Sequence, residues 1–117
     1  MMIPFPNLED FEDIYNRIMA DPARFNEIIE EKPSRRNSRK AAILQTFLNH
    51  MTVENFPATW NIVKDHYDLE SRWFFILMAR NQHPILLEDD FFQSQLHEMQ
   101  NLVQAAKAAK DAEPPTP

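Results

Sequence analysis

Apolar residues recur along this chain at intervals of three and four, the spacing that gathers side chains on one face of an α-helix. Over residues 7–20, Leu8, Phe11, Ile14, Tyr15 and Ile18 share a face, and Glu9, Asp10, Glu12 and Asp13 fall on the other. Acids in a first turn favour the helix dipole. Asp21-Pro22 then supplies a cap followed by proline at the first helical position. The second helix, over 22–31, presents Phe25, Ile28 and Ile29 before Pro33 stops it. The third is expected to start after Ser38 as N-cap and to bury Ala41, Leu44, Phe47, Leu48 and Met51. The fourth starts near Asn55 with Pro57 in its first turn, and Phe56, Trp60, Val63 and Tyr67 form its stripe. Asp68 caps the fifth, over 69–81, and His83-Pro84 breaks the chain again. The sixth is the longest, over 88–110, with Glu88, Asp89 and Asp90 at its start and Phe92, Leu96, Met99, Val103 and Ala106 along one seam.

The pattern predicts an all-α protein of five to six helices, either a compact bundle or a short, solenoid-like stack of helical hairpins. Residues 1–112 read as a single helical domain, and the Pro-rich tail 113–117 is expected to be disordered. The hairpin alternative draws on a partial repeat. Pro22-Ala23-Arg24-Phe25-Asn26-Glu27-Ile28 and Pro57-Ala58-Thr59-Trp60-Asn61-Ile62-Val63 both read P-A-x-aromatic-N-x-aliphatic. Ser38-Arg39 before Ile43-Leu44 likewise parallels Ser71-Arg72 before Ile76-Leu77. Helix pairs recurring at such a period are the mark of stacked hairpins sharing a core.

Composition sharpens this picture by exclusion. The 117 residues include no glycine and nine prolines. Glycine is the usual residue for turns with positive φ, so its absence argues against β-rich folds and removes every glycine-dependent nucleotide motif. There is no cysteine, hence neither a disulfide framework nor a thiolate zinc site, and a cytoplasmic setting is expected. The longest apolar run, Trp73 to Ala79, falls far short of the ~20 residues that span a bilayer, so no membrane association is expected. The net charge of −6 repels phosphate backbones and suits a basic partner.

Candidate chemistry is sparse. His50, His66, His83 and His97 lack the spacing of a ligand pair, and the serines lack a nucleophile-elbow context. No catalytic residue, cofactor or metal site is expected, and the chain is not expected to be an enzyme. The sharpest local feature is the basic segment 32–40. Lys32, Arg35, Arg36, Arg39 and Lys40 cluster at the start of the third helix, where cations oppose the dipole. They can anchor an anionic partner, or simply neutralise Glu27, Glu30 and Glu31 just before them. Arg35-Arg36-Asn37-Ser38 also has the form of a basophilic kinase site, whose phosphate would sit at the helix start. The adjacent pairs Phe74-Phe75 and Phe91-Phe92 are hard to bury together, because neighbours on a helix diverge by ~100°.

The expected function is therefore binding to another protein, as an adaptor, a regulatory subunit or an inhibitor acting by surface occupation. Candidate partner-binding residues are Arg35, Arg36, Arg39, Lys40, Phe91 and Phe92. The acidic first helix is the natural contact for an inhibitor that mimics an anionic ligand. A homodimer through the C-terminal helix is a further expectation, and the Ile3-Pro4-Phe5-Pro6 segment is a second candidate interface anchor, the alternative being that it packs back on the bundle as a staple. The alternative is a nucleic-acid-binding accessory protein using the basic 32–40 segment, which the acidic balance disfavours.

Overall fold

The computed structural model describes residues 10–112, among which there are six α-helices, three 3-10 turns and no strand. The fold is all-α. The Ile3-Pro4-Phe5-Pro6 segment, Leu8, Glu9, the first turn expected over 7–10 and the tail 113–117 lie outside the described residues, Asp10 apart. The backbone divides into two compact units, Met1–Asn49 and His50–Pro117.

In the first unit, α1 spans Phe11–Ala20, α2 Phe25–Ile29 and α3 Arg36–Asn49. Asp10 caps α1, its carboxylate accepting from the backbone N–H groups of Glu12 and Asp13. Two of the four first-helix acids thus lie in the first turn, and a third is the cap itself. Proline opens each of the next two segments. Pro22–Arg24 and Pro33–Arg35 form 3-10 turns that run straight into α2 and α3. This corrects the expected start of the third helix. Arg36 already has helical φ and ψ, so Ser38 lies inside α3 rather than capping it. The buried stripe turns with it. Ile43, Phe47 and Leu48 are buried, together with Arg39 and Thr46, whereas Ala41 is exposed and Leu44 only half-buried. The Thr46 hydroxyl donates to the Ala42 carbonyl, so its burial leaves no polar group wanting. The three helices pack against one another around Ile14, Ile18, Phe25, Ile28 and Ile29, with Tyr15 set edge-on to Phe47 at 5.8 Å.

In the second unit, α4 spans Phe56–His66, α5 Leu69–Gln82 and α6 Asp90–Ala112, with a 3-10 turn at Pro84–Glu88. Asn55 and Pro57 open α4, Asp68 caps α5 by accepting from the Ser71 N–H, and His83 ends α5. Glu88 belongs to the 3-10 turn, so the sixth helix starts two residues later than the pattern predicts. There the Asp89 carboxylate accepts the Phe92 N–H at 2.9 Å. The α4 stripe is buried as expected: Phe56, Trp60 and Val63 fully, Tyr67 nearly so. Its aromatic rings knit the unit. Trp60 lies between Phe56 at 5.8 Å and Phe75 at 6.3 Å, near-parallel to both, and its indole N–H donates to Gln95 Oε1. Phe92 meets Phe56 edge-on at 5.0 Å. Each such ring buries upwards of ~150 Å2, so this cluster dominates the unit's hydrophobic stabilisation.

Both copies of the P-A-x-aromatic-N-x-aliphatic pattern behave alike, one in each unit. Phe25 and Trp60 are fully buried, Asn26 and Asn61 exposed, Ile28 and Val63 fully buried. Ile43 and Ile76, from the second match, are fully buried too. Among the described residues none has a positive φ and no peptide bond is cis. Every turn is made with ordinary L-residue geometry, as a chain without glycine requires.

Candidate functional site

The basic segment 32–40 is dispersed by the fold. Arg35 ends the 3-10 turn and is exposed, and Arg36 opens α3 with its guanidinium 3.4 Å from Glu30. Lys40 is half-buried. Arg39 lies in the interior, only 3% exposed, rather than in a solvent-facing cluster. Its Nη1 donates to the carbonyl oxygens of Ile28 and Ile29 at 2.8 and 2.9 Å, and Nη2 lies 3.9 Å from Glu31. Those carbonyls belong to the last turn of α2, where the chain turns away and the groups lose their intrahelical partners. A cation there is favourable to the dipole of α2. The charge that looks misplaced at the start of one helix therefore serves the end of another.

The acids of the first unit are matched in the same way. Arg17 grips Glu31 with two hydrogen bonds, and Arg24 pairs with Glu27 at 3.0 Å. The hydrogen bond from Arg17 holds the Glu31 carboxyl below its ordinary pKa, and Arg24 does the same for Glu27. Both pairs are exposed, so water and salt screen them and each contributes little to stability.

The second unit carries a different surface. Residues 1–49 hold seven basic and eight acidic side chains, a net −1, and residues 50–117 hold five and ten, a net −5, together the −6 of the chain. Among the described residues, the large apolar side chains that stand exposed are Phe74, Ile85, Leu87, Phe91 and Leu102, all in this unit. The adjacent phenylalanines divide as helix geometry demands. Phe74 is 59% exposed beside a fully buried Phe75, and Phe91 is 40% exposed beside a fully buried Phe92. Phe91 still meets the buried Phe56 edge-on at 5.8 Å, so its covered side rests on a buried ring. Along α6 the seam is buried at Phe92, Leu96 and Met99 and half-buried at Val103, and residues 104–110 are exposed.

A shallow groove of about 290 Å3 opens in this unit, lined by Val53, Glu54, Ile85, Glu88 and Asp89. The sequence reading singles out Glu88 and Asp89 as helix-starting acids but not Val53, Glu54 or Ile85. The only cue to these would be an apolar residue between turn residues and acids, which many solvated loops share. No group of three or more His, Asp or Glu side chains converges as a metal site among the described residues. No described helix is long and apolar enough to cross a membrane. No protein-family profile, curated protein or solved structure matches this chain.

Proposed function

We propose that this chain is a protein-binding module, an adaptor, regulatory subunit or blocking protein, and that its contact surface lies in residues 50–117. One observation carries the reading: the exposed Phe74, Ile85, Leu87, Phe91 and Leu102 all belong to the acidic second unit. Single exposed apolar residues are ordinary on protein surfaces. Five in one small unit, two of them aromatic, resemble the anchors that dominate protein interfaces. The unit's charge favours a basic partner. Arg39 tells against the nucleic-acid alternative, because its guanidinium is spent on the carbonyls of α2. Self-association through α6 is the other form that the reading takes, with Leu102 at 44% exposure as its anchor. The cytoplasmic setting expected from the lack of cysteine accords with such a role.

Affinity capture from native lysate with the full chain as bait, with and without nuclease, tests the proposal. One protein partner is expected irrespective of nuclease, and Phe74→Ser or Leu102→Ser in the bait should weaken its recovery without loss of helical circular dichroism. Recovery that disappears on nuclease treatment, or that ignores every substitution of the exposed apolar residues, would overturn it. Sedimentation of the wild type against Leu102→Ser separates self-association from binding to a different protein.

A further inference from the structure

We infer that the groove between the turn at residues 52–55 and the 3-10 turn Pro84–Glu88 is a docking site for an extended partner segment bearing one aliphatic side chain flanked by lysine or arginine; this rests on the protein-binding reading above. Its apolar lining comes from Val53 and Ile85, and its acidic lining from Glu54, Glu88 and Asp89. Its volume of about 290 Å3 lies just below the ~300 Å3 at which small-molecule sites begin, and suits a single side chain of a longer ligand.

Both walls are held before any partner arrives. On one side, the Thr52 N–H donates to Asn55 Oδ1 at 2.8 Å, and the Asn55 N–H returns a bond to Thr52 Oγ1 at 3.0 Å. Asn55 Nδ2 also donates to the His50 carbonyl. This reciprocal clamp fixes Val53 and Glu54 at the tip of the turn. On the other side, Leu86 is fully buried while its neighbour Ile85 is 57% exposed. The buried leucine anchors the turn and keeps Ile85 from folding inward. Gln93 Nε2 donates to the Leu87 carbonyl, and the Asp89 carboxylate caps α6. A groove held in this way orders little on binding, which lowers the entropic cost of association.

The charge specifies the occupant. Among the described residues, neither Glu54 nor Glu88 has an ion-pair partner, in contrast to the paired Glu27, Glu30 and Glu31 of the first unit. Asp89 and Asp90 more than offset the roughly half positive charge at the start of α6. An apolar lining beside carboxylates fits an aliphatic group between cations and repels the same group between acids.

The test is amide-resolved NMR titration of the full 15N-labelled chain with three synthetic peptides: a leucine flanked by lysines, the same peptide with serine for leucine, and a leucine flanked by glutamates. The first alone should bind, with shifts centred on residues 53–54 and 85–89. Glu54→Gln with Glu88→Gln should weaken it about tenfold, as loss of two lining charges implies, and ~0.5 M salt should do likewise. Asp89 is left intact because it caps α6. Binding of the serine or glutamate peptide equally well, shifts centred elsewhere, or no binding overturns the inference. A bait carrying the two glutamine substitutions gives the separate readout. If it captures the partner as well as wild type, the groove falls while the protein-binding reading stands. If the wild-type bait captures no protein but the lysine peptide binds the groove, the groove stands and the wider reading falls.

Discussion

Residues 10–49 and 50–112 each bury an aromatic and an aliphatic side chain from one P-A-x-aromatic-N-x-aliphatic pattern, yet they treat charge in opposite ways. In the first unit, arginines are drawn onto carboxylates and carbonyls. Arg39 closes the end of α2, Arg17 holds Glu31, and Arg36 reaches Glu30. In the second, the arginine that corresponds to Arg39 is Arg72, and its buried Nε has no hydrogen-bond partner. There Glu54 and Glu88 beside the groove have no ion-pair partner while large apolar side chains face water. The lesson is that a shared hydrophobic pattern secures the same inward-facing positions in both units without deciding what their surfaces do. One unit draws its arginines onto its own carboxylates and carbonyls, and the other leaves Glu54 and Glu88 without an ion-pair partner and five large apolar side chains exposed.

The sharpest way to break this comparison is at the matched aromatic positions. Trp60→Ala should destabilise by about 5 kcal/mol and Phe25→Ala by about 3, both within the range for deleting a buried aromatic. The excess reflects the two flanking rings and the bond from the indole N–H to Gln95. Denaturant unfolding followed by circular dichroism measures both, and an equal cost would mean that neither the larger ring nor its stacking adds to stability.

The matched arginines come next. Arg39→Leu strips the Ile28 and Ile29 carbonyls of a charged donor and should cost about 2–3 kcal/mol. Arg72→Leu removes a buried nitrogen that has no partner, so its cost should stay under about 1 kcal/mol. Similar losses at both positions would show that Arg72 is held by something the contrast overlooks.

The smallest effect is one of pH. Glu27 and Glu31 have folded-state pKa values below their ordinary 4.5. Their contribution is complete above that value and is lost as pH falls through the depressed one. Hydrogen-exchange protection in α1 to α3, taken relative to the intrinsic exchange rate at each pH, should therefore fall slightly as the solution is acidified below 4.5, and Arg17→Met with Arg24→Met should abolish that part of the pH dependence. A pH dependence unchanged in the double variant would show that these pairs play no part in it.

How legible the fold was in the sequence follows from the range of each interaction. Asp68, Asn55, Pro57 and His83-Pro84 act within a turn of their own position, so the ends of α4 and α5 could be read directly. The start of α3 could not. A 3-10 turn opened by Pro33 flows into the helix, and the serine that looked like a cap is bypassed. Arg39 misled for a related reason. Polar side chains count as outward-facing until a carbonyl elsewhere claims them, and for Arg39 that carbonyl lies ten and eleven residues back. The groove was least legible of all, because Val53 and Ile85 are brought together by the packing of α4, α5 and α6 and by no local signal.

The uniformly ordinary backbone has a practical consequence for dissection of this protein. With no described residue at positive φ, no side chain can be introduced into a conformation that only glycine tolerates. A systematic alanine scan of residues 10–112 would thus report side-chain losses almost free of backbone strain. Its map of sensitive and indifferent positions could be read as a direct survey of which side chains hold the protein together and which are available to a partner.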